Sequence, residues 1–291
     1  MADFINNIER FFKQKSVLSN LIAINIVVFL VIKSVTLTCL LFKIDTGYFM
    51  SFFRLPASFD FLFHRPWTII SYFFTHVGFF HILFNLVVLY WFGKIFLSFF
   101  KPKQLGGLYV LGGIAGGLLF MSAYNFFPYF NESLSASYLI GASAAVMAIV
   151  FATAFYRKDY EINLLLLGRV KLIYFAFFIL IIDFVVDTDN LGGNISHVGG
   201  ALMGFWFAKA YSKGKDITSS VNNLIDSFVN LFTKKEKKQK QVHCRPEGDQ
   251  EYNKKRSDKN KEIDRILDKI KKSGYNSLTE EEKKTLFNTN K

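Results

Sequence analysis

Residues 18–211 gather their apolar side chains into long blocks interrupted by few charges, and this constrains the fold more than any other feature of the chain. About 18 or more predominantly apolar residues suffice to cross a bilayer as a helix, and lipid tolerates only structures whose backbone groups are satisfied internally. Six spans follow, at about 18–42, 67–92, 105–125, 139–155, 170–186 and 196–211. Aromatic residues make up 18% of the sequence, with 35 Phe, more than a soluble domain could easily hide. The fold class is therefore an all-α polytopic membrane protein, a six-helix bundle with a short helical hairpin in its tail. Lys33 would cost about 2.5–3.5 kcal/mol at mid-bilayer, so it is placed near the interface.

Loop charges orient the spans. Arg10, Lys13 and Lys15 precede the first; Lys94, Lys101 and Lys103 follow the second; Arg157, Lys158, Arg169 and Lys171 follow the fourth. The loops after spans three and five carry no Lys or Arg. The positive-inside rule puts both termini in the cytoplasm, in a protein of the cytoplasmic membrane. The first loop, 43–66, breaks the pattern with Lys43, Arg54 and Arg65, and its aromatic residues suit it to the interface.

The net charge is +12, and residues 214–291 hold 19 Lys+Arg against 13 Asp+Glu, half of the excess. A basic tail beside a membrane domain reads as a segment near anionic lipid rather than a nucleic-acid binder. Cys39 and Cys244 suggest neither a disulfide framework nor a metal site, and no cofactor is implied. The N-terminus lacks a signal-peptide layout. Phe4, Ile5, Ile8, Phe11 and Phe12 recur at helical spacing, as in a helix on the membrane surface. Four regions result: 1–17, interfacial; 18–211, the six spans; 212–260, an amphipathic helix (Ile217, Val221, Leu224, Ile225, Phe228, Val229, Phe232) and a flexible basic linker from 234 to 258; and 261–291. In the last, Ile263, Ile266, Leu267 and Ile270 predict a helix ending near Ser273-Gly274, and Thr279 with Glu282 forms a capping-box pattern opening another.

Polar groups within spans are costly and need a reason. Four stand out. Ser143 opens span four within Gly141-Ala142-Ser143-Ala144, where a helix N-terminus offers free N–H donors; a small packing residue or an N-cap would read the same. His197 opens span six in Ser196-His197-Val198-Gly199-Gly200. Ala144, Ala148 and Ala152 form one small-residue stripe; Gly200, Gly204 and Ala208 form another, and the two suit close packing. Packed together, they bring a hydroxyl toward an imidazole near the outer side, as base-activated nucleophilic catalysis requires. His81 and Asn85, four apart on span two, share a face. They are donors for a developing oxyanion or an interhelical clamp. His76, a turn further out, reads as structural.

These motifs resemble those of the rhomboid family of intramembrane serine proteases. His81-Ile82-Leu83-Phe84-Asn85 is similar to its His-x-x-x-Asn, Gly141-Ala142-Ser143-Ala144 to its Gly-x-Ser-x, and His197 with Gly199, Gly200 and Gly204 to its last-helix signature, in the family's order. The resemblance implies Ser143 as nucleophile and His197 as general base. The Ser143 N–H, His81 and Asn85 would form an oxyanion hole. It implies a Ser–His dyad with no third acid, so neither Asp183 nor Asp187 is assigned. It also implies single-pass or polytopic membrane-protein substrates entering beside spans two and five. The stretch Ile263 to Asn288 resembles a short tail segment of some bacterial rhomboids. The chain departs from the pattern at Ala144, where Gly is frequent, at Met147, where an aromatic is frequent, and at Trp67-Thr68, where Trp-Arg is common. The rivals are a proteolytically inactive relative that binds membrane proteins and a transporter or channel using the same polar groups.

Overall fold

The computed structural model describes residues 9–164, 168–186, 190–232 and 249–287. It divides into two compact units, residues 1–233 and 234–291. The first is an all-α bundle with, among the described residues, two short strand pairs. Its main helices are α1 (Val17–Leu41), α2 (Phe79–Leu97), α3 (Pro102–Phe126), α4 (Ser143–Tyr156), α5 (Leu172–Val186) and α6 (Leu191–Tyr211), followed by α7 (Ser219–Phe232). Helices α1, α2 and α3 are each long and apolar enough to cross a membrane. Local chemistry sets the starts: Ser16 accepts from the Ser19 N–H at 3.1 Å, Gln104 accepts from the Lys101 N–H at 2.9 Å, and Asn190 accepts from the Gly193 N–H at 3.0 Å.

Helix α4 is the axis of the bundle. It packs against α2, α3, α5 and α6, and every side chain from Ala144 to Ala154 is buried. At 14 residues it is shorter than a bilayer crossing requires, but its surroundings are protein rather than lipid. Small residues permit this: a Cβ on Gly200 would fall onto the Ala144 carbonyl oxygen, and one on Gly204 onto that of Ala148. The two backbones touch, which is how helices associate where no hydrophobic effect drives them together.

Several expected boundaries shift. Span two is not one helix from 67. Residues 68–74 form two short helical turns, Thr75 is extended, and α2 starts at Phe79. Tyr72 and Phe73 are fully buried. Tyr72 OH donates to Gly113 O at 2.5 Å, Tyr109 OH donates to Phe73 O at 3.1 Å, and Gly141 N–H donates to Tyr72 O at 3.0 Å. A segment so tied to protein can break its helix without exposing backbone to lipid. Span four begins at Ser143 rather than 139, because β2 (Tyr138–Leu139) pairs antiparallel with β1 (Leu55–Pro56) of the first loop. Residues 170–171 belong to the hairpin of β3 (Glu161–Leu164) and β4 (Gly168–Lys171), so α5 starts at Leu172. Helix α6 starts at Leu191, capped by Asn190, so His197 lies two turns inside it. Helix α1 continues past Lys33 to Leu41.

On α7, Leu224, Phe228 and Val229 leave an apolar face exposed. Asp216 fixes the start of this region, accepting from Thr218 N–H at 2.9 Å and Gln104 Nε2 at 2.8 Å.

The second unit is a helical hairpin, α8 (Asp249–Ser273) and α9 (Glu280–Phe287). Helix α8 starts well before 261, so residues 249–258, expected as linker, are helical. Their Glu, Lys and Arg are good helix formers, and high charge argues for solvation, not against helix. The remainder of that linker and residues 1–8 of the N-terminal segment lie outside the described residues. Gly274 (φ +78°) turns the chain, Ile266 and Leu278 are buried, and Thr279 N–H donates to Glu282 Oε2 at 2.8 Å while Thr279 Oγ1 accepts from Glu282 N–H at 3.3 Å.

Candidate active site

Ser143 is the first helical residue of α4, after Ala142. The Val146 N–H donates to Ala142 O, which leaves the Ser143 N–H in the first turn without an intrahelical acceptor. Ser143 is delivered by a loop that three contacts hold: Gly141 N–H to Tyr72 O, Ala142 N–H to His76 Nε2 at 3.2 Å, and the β1–β2 pairing just upstream. Gly141 is irreplaceable in this path for two reasons. Its φ of +115° disfavours any side chain, and a Cβ there would meet His81 Cε1 at 2.7 Å.

From α6, His197 Nε2 reaches Ser143 Oγ at 2.6 Å. Both side chains line a cavity of about 580 Å³, as do His81, Asn85, Met147 and Asp183. The imidazole of His81 stands against Gly141, and Asn85 Nδ2 donates to the His81 carbonyl at 2.9 Å. All four sequence-derived residues are thus brought to one cavity, and the four small packing positions seat them. Ala144 is fully buried and sits where a Cβ on Gly116 or an added atom on Gly200 would collide, so the methyl fills the contact between α3, α4 and α6. Met147 is buried on the serine's side of the cavity. Among the described residues no group of three or more His, Cys, Asp or Glu is placed to hold a metal ion.

From the sequence, Asp183, Asn25 and Arg65 have no assigned role at the site, and His76 reads as structural. Asp183 Oδ2 lies 2.9 Å from His197 Nδ1. The carboxylate is off the ring's N–H direction, so the contact is a charge pair and Nδ1, buried, makes no hydrogen bond. A lone carboxylate in an apolar helix costs about 2.5–3.5 kcal/mol at mid-span, so such a residue calls for a partner. That cost was the signal available in the sequence. His76 is fully buried and holds the loop before the serine through Ala142. Asn25, fully buried on α1, donates to Leu21 O at 2.8 Å and to Tyr109 OH at 3.0 Å, joining α1 to α3 and, through Tyr109, to Phe73. Arg65 places its guanidinium 4.8 Å from the Phe52 ring centroid, and Phe52 also stacks on Trp67 and accepts from its indole N–H through the carbonyl at 2.9 Å. An arginine two residues before Trp67, rather than one after it, thus meets the first loop.

An all-α membrane bundle with a serine and a histidine paired at its central helices defines an intramembrane-protease type of fold. The Rhomboid domain family matches residues 64–214, more than half of the chain. The chain belongs to the rhomboid family, whose members are integral membrane proteins, generally serine proteases acting on membrane-protein substrates within the bilayer. A second match, over residues 248–288, is to DUF6576, a family of unknown function. No curated protein matches the chain.

Proposed function

We propose that this chain is an active intramembrane serine endopeptidase that cleaves transmembrane segments of other membrane proteins. The observation that carries the reading is the 2.6 Å approach of Ser143 Oγ to His197 Nε2 inside a cavity lined by further donors. In this reading neutral His197 accepts the Ser143 proton at Nε2 as Oγ attacks the scissile carbonyl. The negative oxygen of the tetrahedral intermediate is met by the Ser143 N–H and by the side chains of His81 and Asn85. Asn85 Nδ2 is within reach of its own helix carbonyl and turns from it to the oxyanion. One such donor is typically worth about 2.7–4 kcal/mol in the transition state. His197 then returns the proton to the leaving amine, and water repeats the sequence to release the acyl group. The enzyme needs no metal or cofactor in this scheme.

The loop charges support a protein of the cytoplasmic membrane with both termini in the cytoplasm and a site open to the exterior. Substrates are single-pass or polytopic membrane proteins whose unwound segment enters beside α2 and α5. The catalytic unit is the region 18–211, preceded by the interfacial segment 1–17 and followed by the amphipathic helix α7; the boundary expected at 260 moves back to 249, where the C-terminal hairpin begins.

The test is cleavage of a reporter with one transmembrane segment by purified wild type and Ser143→Ala, with fluorophosphonate labelling in parallel. Cleavage and labelling should both disappear in the variant, a loss of at least about 10³-fold. Cleavage that survives Ser143→Ala would overturn the mechanism. A wild type that neither cleaves nor labels would point to an inactive relative that binds membrane proteins.

A further inference from the structure

We infer that Asp183 is a positioning residue for His197, making the site of this chain a three-group arrangement rather than a two-group one; the inference rests on the Ser143–His197 reading above. Three observations converge. Asp183 is the only ionisable side chain of α5 beyond Tyr174, and it lines the serine cavity. Its Oδ2 is 2.9 Å from His197 Nδ1, and the two side chains are 30% and 13% exposed. Nδ1 is buried and has no hydrogen-bond partner, so among the described residues Asp183 is the carboxylate within ion-pair distance of that ring. Among the described residues, the other titratable groups around His197 are His81 and Tyr138, which line the same cavity, His76 behind the serine loop, and Tyr124 of α3, which lies against Gly192 near the start of α6. None of them carries a negative charge near neutral pH.

The chemistry follows from which nitrogen is used. For Nε2 to accept the serine proton, the neutral ring must hold its own proton on Nδ1. Asp183 favours that tautomer, because it sets a negative oxygen beside Nδ1–H. When Oγ–H breaks and the O–C bond forms, the proton passes to Nε2 and the ring becomes positive. Asp183 stabilises that imidazolium and keeps its own negative charge throughout. As the C–N bond breaks, the same proton leaves Nε2 for the amine. Asp183 neither gains nor loses a proton and touches no reacting atom.

In hydrogen-bonded triads, Asn in place of the acid lowers kcat by about 10⁴-fold. Here the carboxylate is partly exposed and off the N–H axis, so the expected loss is smaller, about tenfold to a hundredfold. The experiment uses the full chain in detergent and a fluorogenic transmembrane substrate. Asp183→Asn should lower kcat by that factor with KM within about twofold, and slow fluorophosphonate labelling in parallel. Asp183→Glu should recover part of the rate. Asp183→Ala should be partly rescued by formate and not by chloride at equal ionic strength, since only a carboxylate restores the missing charge and acceptor. Thermal unfolding of each variant separates a folding defect from a catalytic one. Asp183→Asn with unchanged kcat would overturn the inference, as would a rate loss that follows lost stability and that neither Glu nor formate repairs. If Ser143→Ala itself retained cleavage, the underlying reading would fail instead.

Discussion

The membrane unit and the C-terminal hairpin solve the same problem with opposite materials. Around α4 the helices meet through glycine and alanine, so close that the backbones are each other's neighbours, and few charges take part. In α8 and α9 the buried apolar contribution rests on residues such as Ile266 and Leu278, and charge does much of the joining: Lys269 Nζ lies 2.8 Å from Glu282 Oε2, and Arg265 reaches the same carboxylate at 3.8 Å. The difference is one of solvent. In lipid, apolar side chains gain nothing by meeting one another, so contact density and satisfied polar groups must hold the helices. In water, a small hairpin has too little core to stand alone and adds caps and ion pairs. Substitutions that exchange size should therefore wreck the first unit and barely touch the second.

The largest effect is expected from the smallest side chain. Gly200→Ala puts a methyl into the Ala144 carbonyl, and neither backbone can yield without moving a helix. The expected cost is about 1–3 kcal/mol or more, with cleavage lost because Ser143 and His197 sit on the two helices being forced apart. Gly274→Ala is the matched control. Its φ is +78° but the space around it is open, so the cost is about 1 kcal/mol of backbone strain confined to the hairpin. Thermal unfolding in detergent with parallel cleavage assays checks both. Equal effects would break the comparison.

A middle effect tests the polar joints of the membrane unit. Asn25→Leu removes the bond to Tyr109 OH, which itself donates to Phe73 O. Interhelical hydrogen bonds of this kind average about 0.6 kcal/mol and reach about 2. The variant should unfold slightly earlier and retain most of its cleavage, because Asn25 lies on α1, outside the serine cavity. A large loss of stability would mean that polar joints, not backbone contact, dominate the bundle.

These contrasts also explain what could be read from the chain beforehand. The spans were legible because lipid writes length and composition into each of them, and Ser143, His197, His81 and Asn85 were legible because a polar group in a span demands a reason. The boundaries at 67 and 139 were not. Tyr72, Phe73 and Leu139 are large and mostly apolar like lipid-facing residues, yet they serve a broken helical segment and a strand whose partners lie far along the chain, at Gly113, Tyr109 and Leu55. Periodicity cannot tell protein from lipid as the neighbour of an apolar side chain. The start of α6 was missed because Gly192 and Gly193 read as loop, while Asn190 caps them into helix. Asp183 went unassigned because the resemblance implies a dyad with no third acid, and its partner, 14 residues on along the chain, is visible only in the packed helices. The helix at 249–258 was hidden by charge, which signals solvent but says little about conformation.

The smallest effect belongs to the hairpin's charges and carries a sign. Glu282 is pulled down to about 2, chiefly by Lys269, then by the Thr279 N–H. A carboxyl held below its unfolded value contributes stability that is present above about pH 4.5 and lost as the pH falls toward 2. Glu282 is partly covered but its partner Lys269 is exposed at the surface, so the contribution is modest and salt-sensitive. Amide exchange of the full chain in detergent, followed over residues 249–287, should therefore speed up between about pH 4.5 and 2 beyond the intrinsic rate change, and speed up in high salt at neutral pH. Glu282→Gln should weaken both responses, since it retains a side chain able to accept the Thr279 N–H but no charge for Lys269, while the exposed pairs Arg265–Glu262 and Lys283–Glu280 remain. Exchange around Ala144–Ala154, where nothing ionises, should respond to neither acid nor salt. An equal response there would show that charge, and not solvent, sets how each unit holds together.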